Sequence, residues 1–318
     1  MQQTMLIIAL GLGNGAAPCW AGEEAGVRST IAKAVPYLKA SGVKWMKKRD
    51  CVSCHQITSM LWSLNAAAKV GIKVDDGKLT EWSDWSREKM ADLENDPKKK
   101  PPVDNMIQLL LGRGGSDHAK YPESEFAEFP RWIMAQRTNG FWKAGGQLPR
   151  QKRPGRETDE VTTMWTILAL TPYARDESHA IDFQAARSWL TKGKPGISTE
   201  WWAVRALTEL NGKLRTKHKE KLLSLQNEDG GWGFIAGQNS DALATGMALY
   251  ALSKLQVPSE SRSIRRARSH LAGSQRINGS WEVPSTKKAN KEESNPISNY
   301  WGTGWAVIGL AASLERGD

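Results

Sequence analysis

Apolar residues recur at helical spacing along most of the chain, and Gly, Pro and charge clusters cut the pattern into twelve segments. These fall near residues 27–47, 55–71, 79–95, 103–113, 122–137, 158–172, 180–193, 198–211, 215–227, 240–256, 261–275 and 299–314. Taken in pairs they form six hairpins. The second member of each pair is the more uniformly apolar, as in Leu243, Ala244, Met247, Ala248, Leu249, Ala251 and Leu252, and the first carries more charge. Helices apolar on every side belong inside and amphipathic ones outside. The pattern therefore predicts an all-α fold, a closed (α/α)6 toroid with six inner helices inside six outer ones.

One frame appears three times: Gln136, Gly140 and Trp142; Gln226, Gly230 and Trp232; Gln275, Gly279 and Trp281. Each frame follows a predicted outer helix, so Gln ends the helix, Gly makes the turn and Trp folds back on the preceding turn. Trp232 and Trp281 are thus expected to be structural clamps.

With 40% apolar and 25% charged residues, the 318-residue chain has the composition of a folded protein. Its 15 Trp residues, against five Tyr and five Phe, need a large interior or ring-lined clefts. A net charge of +10 favours acidic partners. Nucleic acid is not expected, because the basic residues are not interleaved with a reading motif. From Met5 to Ala17 the chain is nearly all Leu, Ile, Ala and Gly, and Glu23 is the first charge. This reads as a signal peptide over residues 1–21, cleaved after Ala21, with residues 22–318 as one domain in the periplasm or secreted. The alternative is an uncleaved anchor. No later segment is apolar enough to span a membrane.

Cleavage would remove Cys19 and leave Cys51 and Cys54, in the run Cys51-Val52-Ser53-Cys54-His55. In this CxxCH pattern two thiols can add to the vinyl groups of one haem while the following imidazole binds its iron. The expected cofactor is one covalent haem c, with Cys51 and Cys54 on the porphyrin and His55 on the metal. The same residues can also be read as a thiol redox pair or half a zinc site, although zinc needs further Cys or His at matching spacing. For a sixth iron ligand the candidates are Met106 and His118, with Met90 behind them.

The QxxxGxW frames resemble the QW repeats of squalene and oxidosqualene cyclases. Asn239–Gly246 and Gly302–Val307 resemble inner helices of bacterial squalene-cyclase-like, prenyltransferase-repeat proteins, a subgroup of which carries an N-terminal CxxCH. The resemblance covers nearly the whole mature chain. It implies the toroid, with the haem motif opening the first inner helix, and assigns no reaction. Class II terpene cyclases protonate an alkene with a DxDD motif, and the nearest match here is Glu157-Thr158-Asp159-Glu160, which makes Asp159 a candidate proton donor. The motif is incomplete. Acids and Thr158 at a helix start also serve as caps, and the chain is too short for the second barrel of those enzymes.

Asp159, Glu160, Glu200, Trp201, Trp202, Asp241, Asn299 and Trp301 all fall near inner-helix entrances and are expected to share one rim, a place for a hydrophobic small molecule or for capping alone. Two basic runs, Lys47-Lys48-Arg49 and Lys98-Lys99-Lys100, are candidates for steering an acidic redox partner towards the haem, or else solvated turns. Three readings remain open at this stage: electron transfer or haem-based redox chemistry, a terpene-cyclase-like enzyme acting on an isoprenoid, and a ligand-binding scaffold with haem as its sensor.

Overall fold

All twelve predicted segments form helices in the computed structural model, which describes residues 17–53, 55–113, 126–146, 148–175, 181, 183–289 and 293–315. The inner set is α2 (Ile57–Lys69), α4 (Val103–Arg113), α6 (Gly155–Leu170), α8 (Thr199–Thr208), α10 (Ala242–Lys254) and α12 (Pro296–Ala312). Each inner helix packs on the next, and α12 packs on α2, so the ring closes. The outer set is α1 (Ala17–Arg49), α3 (Asp76–Asn95), α5 (Glu128–Ala135), α7 (Gln184–Thr191), α9 (Gly212–Ser224) and α11 (Arg262–Ser274). The two sets differ as their sequences require. In α10 every residue from Ala242 to Leu249 is buried, whereas α11 buries only Ile264, Ala267, Arg268 and Leu271, one stripe at helical spacing. Among the described residues no helix is long and apolar enough to cross a membrane.

The repeated frames are the joints of this ring. Trp142, Trp232 and Trp281 are almost fully buried. Their indole Nε1 groups donate to Ile133, Leu222 and Leu271 carbonyls of the preceding outer helices at 2.7, 2.9 and 2.8 Å. Their backbone amides donate to Thr163, Thr245 and Thr303 Oγ1 on inner helices, at 3.1, 2.9 and 3.2 Å. One residue thus ties an outer helix to an inner one. The Gln reaches sideways: Gln226 Nε2 donates to Ser263 O of α11, and Gln275 Nε2 to Thr30 O of α1, both at 2.9 Å. Gly279 has φ +82°, and a Cβ there would collide with the Lys33 carbonyl of α1. Where α10 meets α12, a Cβ on Gly246 would strike the Trp305 backbone, so glycine permits backbone-to-backbone contact.

The lumen is filled. Trp62, Trp165, Tyr250 and Trp305, from α2, α6, α10 and α12, meet with ring centroids 5.0 to 6.2 Å apart, most of them edge to face. Such pairs contribute roughly 0.5–1.5 kcal/mol each beyond the area they bury.

Two substitutions test the joints. Trp232→Phe keeps most of the ring but leaves the buried Leu222 carbonyl without its donor, an expected loss of about 1–3 kcal/mol. Gly279→Ala combines left-handed backbone with a clash. Each should lower Tm by several degrees in thermal unfolding followed by circular dichroism, while Ile277→Ala, at an exposed side chain of the same turn, should leave it unchanged.

Candidate functional site

The CxxCH segment lies between α1 and α2, immediately before the first inner helix. Asp50, at φ +46°, ends α1 in a left-handed turn. Residues 51–53 then run as an irregular link, and α2 begins two residues beyond His55. Side chains from three helices hold this link away from helical geometry. Trp45 Nε1 donates to Cys51 O and Asn105 Nδ2 to Val52 O, both at 3.0 Å, while Thr58 Oγ1 donates to Ser53 O at 3.4 Å. Cys51 is exposed. Cys54 and His118 lie outside the described residues.

His55 lines a cleft of about 160 Å³ with Trp45, Leu148, Gln151, Lys287 and Trp301. Trp45 packs edge-on against the imidazole at 5.7 Å. Burial, with a smaller effect from the Lys287 charge, pushes the imidazole pKa down to about 4, so it is neutral at physiological pH. Neutral imidazole is the metal-binding form. An exposed thiol, a neutral histidine and an apolar, indole-walled cleft suit the donor set of a covalent porphyrin. The cleft is smaller than the roughly 300 Å³ at which ligand pockets begin, so it would cover only part of such a macrocycle. Met106 and Met90 are completely buried in α4 and α3, and neither lines this cleft.

A second, much smaller cavity of about 30 Å³ lies in the lumen. It shares Leu148 and Trp301 with the first, and its walls include Trp62, Trp165 and Trp305. Its acids are Asp104 and Glu200, and Asp159 is not among them. Asp159 is half-buried and accepts from the Ala144 amide at 2.9 Å. The helix there begins at Gly155, so Thr158 is no N-cap; its hydroxyl donates to Pro154 O at 3.2 Å. Nor do the acids of this run cap their own helix. Glu157 accepts from the amides of Ile197 and Ser198 at 3.0 and 2.9 Å, holding the start of α8. Glu160 accepts from Trp201 Nε1 at 2.8 Å.

The lumenal acids are equally well partnered. Glu200 accepts from Arg153 Nη1 at 2.7 Å and Trp165 Nε1 at 2.9 Å. Asp104 accepts from Gly145 N at 2.9 Å and Thr162 Oγ1 at 2.8 Å. Burial, against these hydrogen bonds, raises Asp104 to about 6, with the Glu200 charge adding to the rise. Asp104 was not singled out from sequence, although it stands in the first turn of an inner helix just as Glu157 and Glu200 do.

The expected rim is only partly assembled. Glu200 and Trp301 face the lumen together. Asp241 caps α10 and borders a separate polar hollow with Lys152 and Asn239. Asn299 Oδ1 accepts from Val283 N at 2.7 Å, and Trp202 turns outward against His218 and Lys221. Of the basic runs, Lys47–Arg49 is exposed at the end of α1, whereas Lys99 and Lys100 face Asp96 and Glu94 at 3.0 and 3.8 Å.

No protein-family model and no curated protein sequence matches the chain. Solved structures do. A possible member of the GH105 family from Salmonella enterica aligns over 98% of this chain and 96% of its own, at 12% identity and a TM-score of 0.54. A type II terpene cyclase from Scytonema, in complex with its product merosterolic acid A, aligns over 92% and 98% at 14% identity and a TM-score of 0.54. Its apo form aligns over 89% and 98% at 12% identity, with a TM-score of 0.52. The likeness is one of fold. It shows the toroid expected from the helical pattern and the QxxxGxW frames.

Asp241, like Asp104, is raised by burial to about 6. Both bind a proton more readily folded than unfolded, so their contribution to stability is complete below about pH 4 and lost as pH rises through about 6. Urea unfolding should show each group costing about 1 kcal/mol between about pH 5 and about pH 7. His55, held neutral, gains stability over the same window, so the contribution of Asp104 is read as a difference: the change in unfolding free energy from about pH 5 to about pH 7 should be more favourable by about 1 kcal/mol in Asp104→Asn than in wild type.

Proposed function

We propose that the chain is an exported c-type haem protein on a squalene-cyclase-like toroid, with Cys51 and Cys54 binding one porphyrin covalently and His55 its iron. The observation that carries this reading is the neutral His55 on the wall of an indole-lined cleft, beside the exposed Cys51 of a CxxCH run. When bound, haem supplies one-electron redox chemistry. The chain's part would be to fix the imidazole with Trp45 and hold the motif's backbone through Asn105 and Thr58. The exposed Lys47–Arg49 run, at the α1 end adjoining the motif, suits an acidic redox partner.

A second reading places chemistry on a hydrophobic small molecule in the lumen, and the likeness to a terpene cyclase fold sits closer to it than to electron transfer. Asp104 and Glu200 among Trp62, Trp165 and Trp305 favour it. In that reading Asp104, rather than Asp159, is the acid facing the substrate. A cavity of about 30 Å³ holds about one water, so an isoprenoid would have to displace the central rings.

Expression with a cytochrome c maturation system decides between them. The expected product carries one haem per chain that survives denaturing electrophoresis, and Cys51→Ser with Cys54→Ser abolishes the covalent link. Colourless protein with both thiols open to alkylation overturns the haem reading. Turnover of a polyprene that is lost in Asp104→Asn would carry the second.

A further inference from the structure

Two residues that line the His55 cleft each carry a buried polar atom without a hydrogen-bond partner among the described residues, Trp301 Nε1 and Gln151 Oε1. The residues are only 8% and 2% exposed. Leaving such a group unmatched is unfavourable. Beside them stands Lys287, which forms no ion pair with any described carboxylate. The wall is rigid, because two loops are laced together there. Gln151 and Lys287 pair in an antiparallel bridge, Lys152 N donates to Thr286 O at 2.7 Å, and Lys288 N donates to Arg150 O at 3.0 Å. The rest of the lining is largely apolar, with Trp45, Leu148 and Ile297.

Trp301 and Lys287 line the same cleft and bring an indole N–H and an ammonium to it, and the Gln151 amide, turned by half a rotation, adds a third N–H. Donors of this kind at the edge of an apolar slot match a carboxylate carried on an apolar body. We propose that Lys287, Trp301 and Gln151 form a carboxylate-binding site at the end of the His55 cleft. Two sources share that chemistry: a propionate of the haem, which rests on the reading above, and the head group of a free apolar acid.

The experiment uses the full chain. In Cys51→Ser/Cys54→Ser protein, iron protoporphyrin IX and its dimethyl ester are titrated by Soret absorbance; in wild-type protein free of haem, octanoate and methyl octanoate are titrated by tryptophan fluorescence. The expected result is at least tenfold weaker binding of the ester in one pair, with the preference lost in Lys287→Gln and reduced in Trp301→Phe, which keeps most of the ring's bulk. Preference within the porphyrin pair assigns the site to propionate. Preference for octanoate alone, in a chain that also gains no covalent haem when expressed with the maturation system, keeps the site and removes the haem reading. If acid and ester bind alike, if neither pair binds, or if the preference survives Lys287→Gln in protein of wild-type circular dichroism, the site is overturned, while covalent haem on the wild-type chain would leave the haem reading standing.

Discussion

An (α/α)6 ring is held by what joins its two layers, because no hairpin can bury its apolar inner helix alone. Here one residue makes the joint. Trp232 donates its indole N–H to the outer helix α9 and its backbone N–H to Thr245 of the inner helix α10, and Trp142 and Trp281 repeat the arrangement. A helix C-terminus leaves carbonyls without partners, and the indole satisfies one of them from inside the core. The Gln of each frame adds a lateral bond, as Gln275 does to α1, so the last outer helix is tied to the first. Ring closure and burial of the indoles are therefore coupled, and loosening one joint opens both layers.

Closure in turn dictates what happens to charge. Three of the inner helices, α4, α6 and α8, begin with an acid in the first turn, and ring packing buries it. Each has been given donors from a neighbouring element: Glu157 from the start of α8, Glu200 from Arg153 and Trp165, Asp104 from the 145 amide and α6. Unpaired, such carboxylates would cost several kcal/mol each. With those donors they act as cross-links between inner helices, and Asp104 still leans towards its protonated form.

The helical layers and the three clamps were legible because both depend on short-range spacing. The start of α2 was not. Apolar periodicity runs on through residue 55, but Asp50, Trp45 and Asn105 impose a non-helical link that only the fold reveals. Asp104 escaped notice for a similar reason, since its partner Thr162 is 58 residues away. Asp159 drew attention through its acidic neighbours, yet its place is set by the Ala144 amide. Cys51 and His55 could be read from the motif itself. Lys287, Gln151 and Trp301 could not, because two paired loops and α12 bring them to one cleft from distant parts of the chain.

The cleft and the lumen are not independent compartments. Trp301 and Leu148 are walls of both, and Trp301 comes from α12, the helix that closes the ring against α2. Any group seated against His55 therefore presses on the same indole that borders Asp104 and Glu200. Conversely, a molecule seated in the lumen among Trp62 and Trp305 would meet Trp301 as one of its walls. Differential contact of this kind is the physical requirement for one site to bias another. The His55 cleft and the acid-lined lumen are on that account better regarded as two ends of one hollow, joined through Trp301 and Leu148, than as separate compartments.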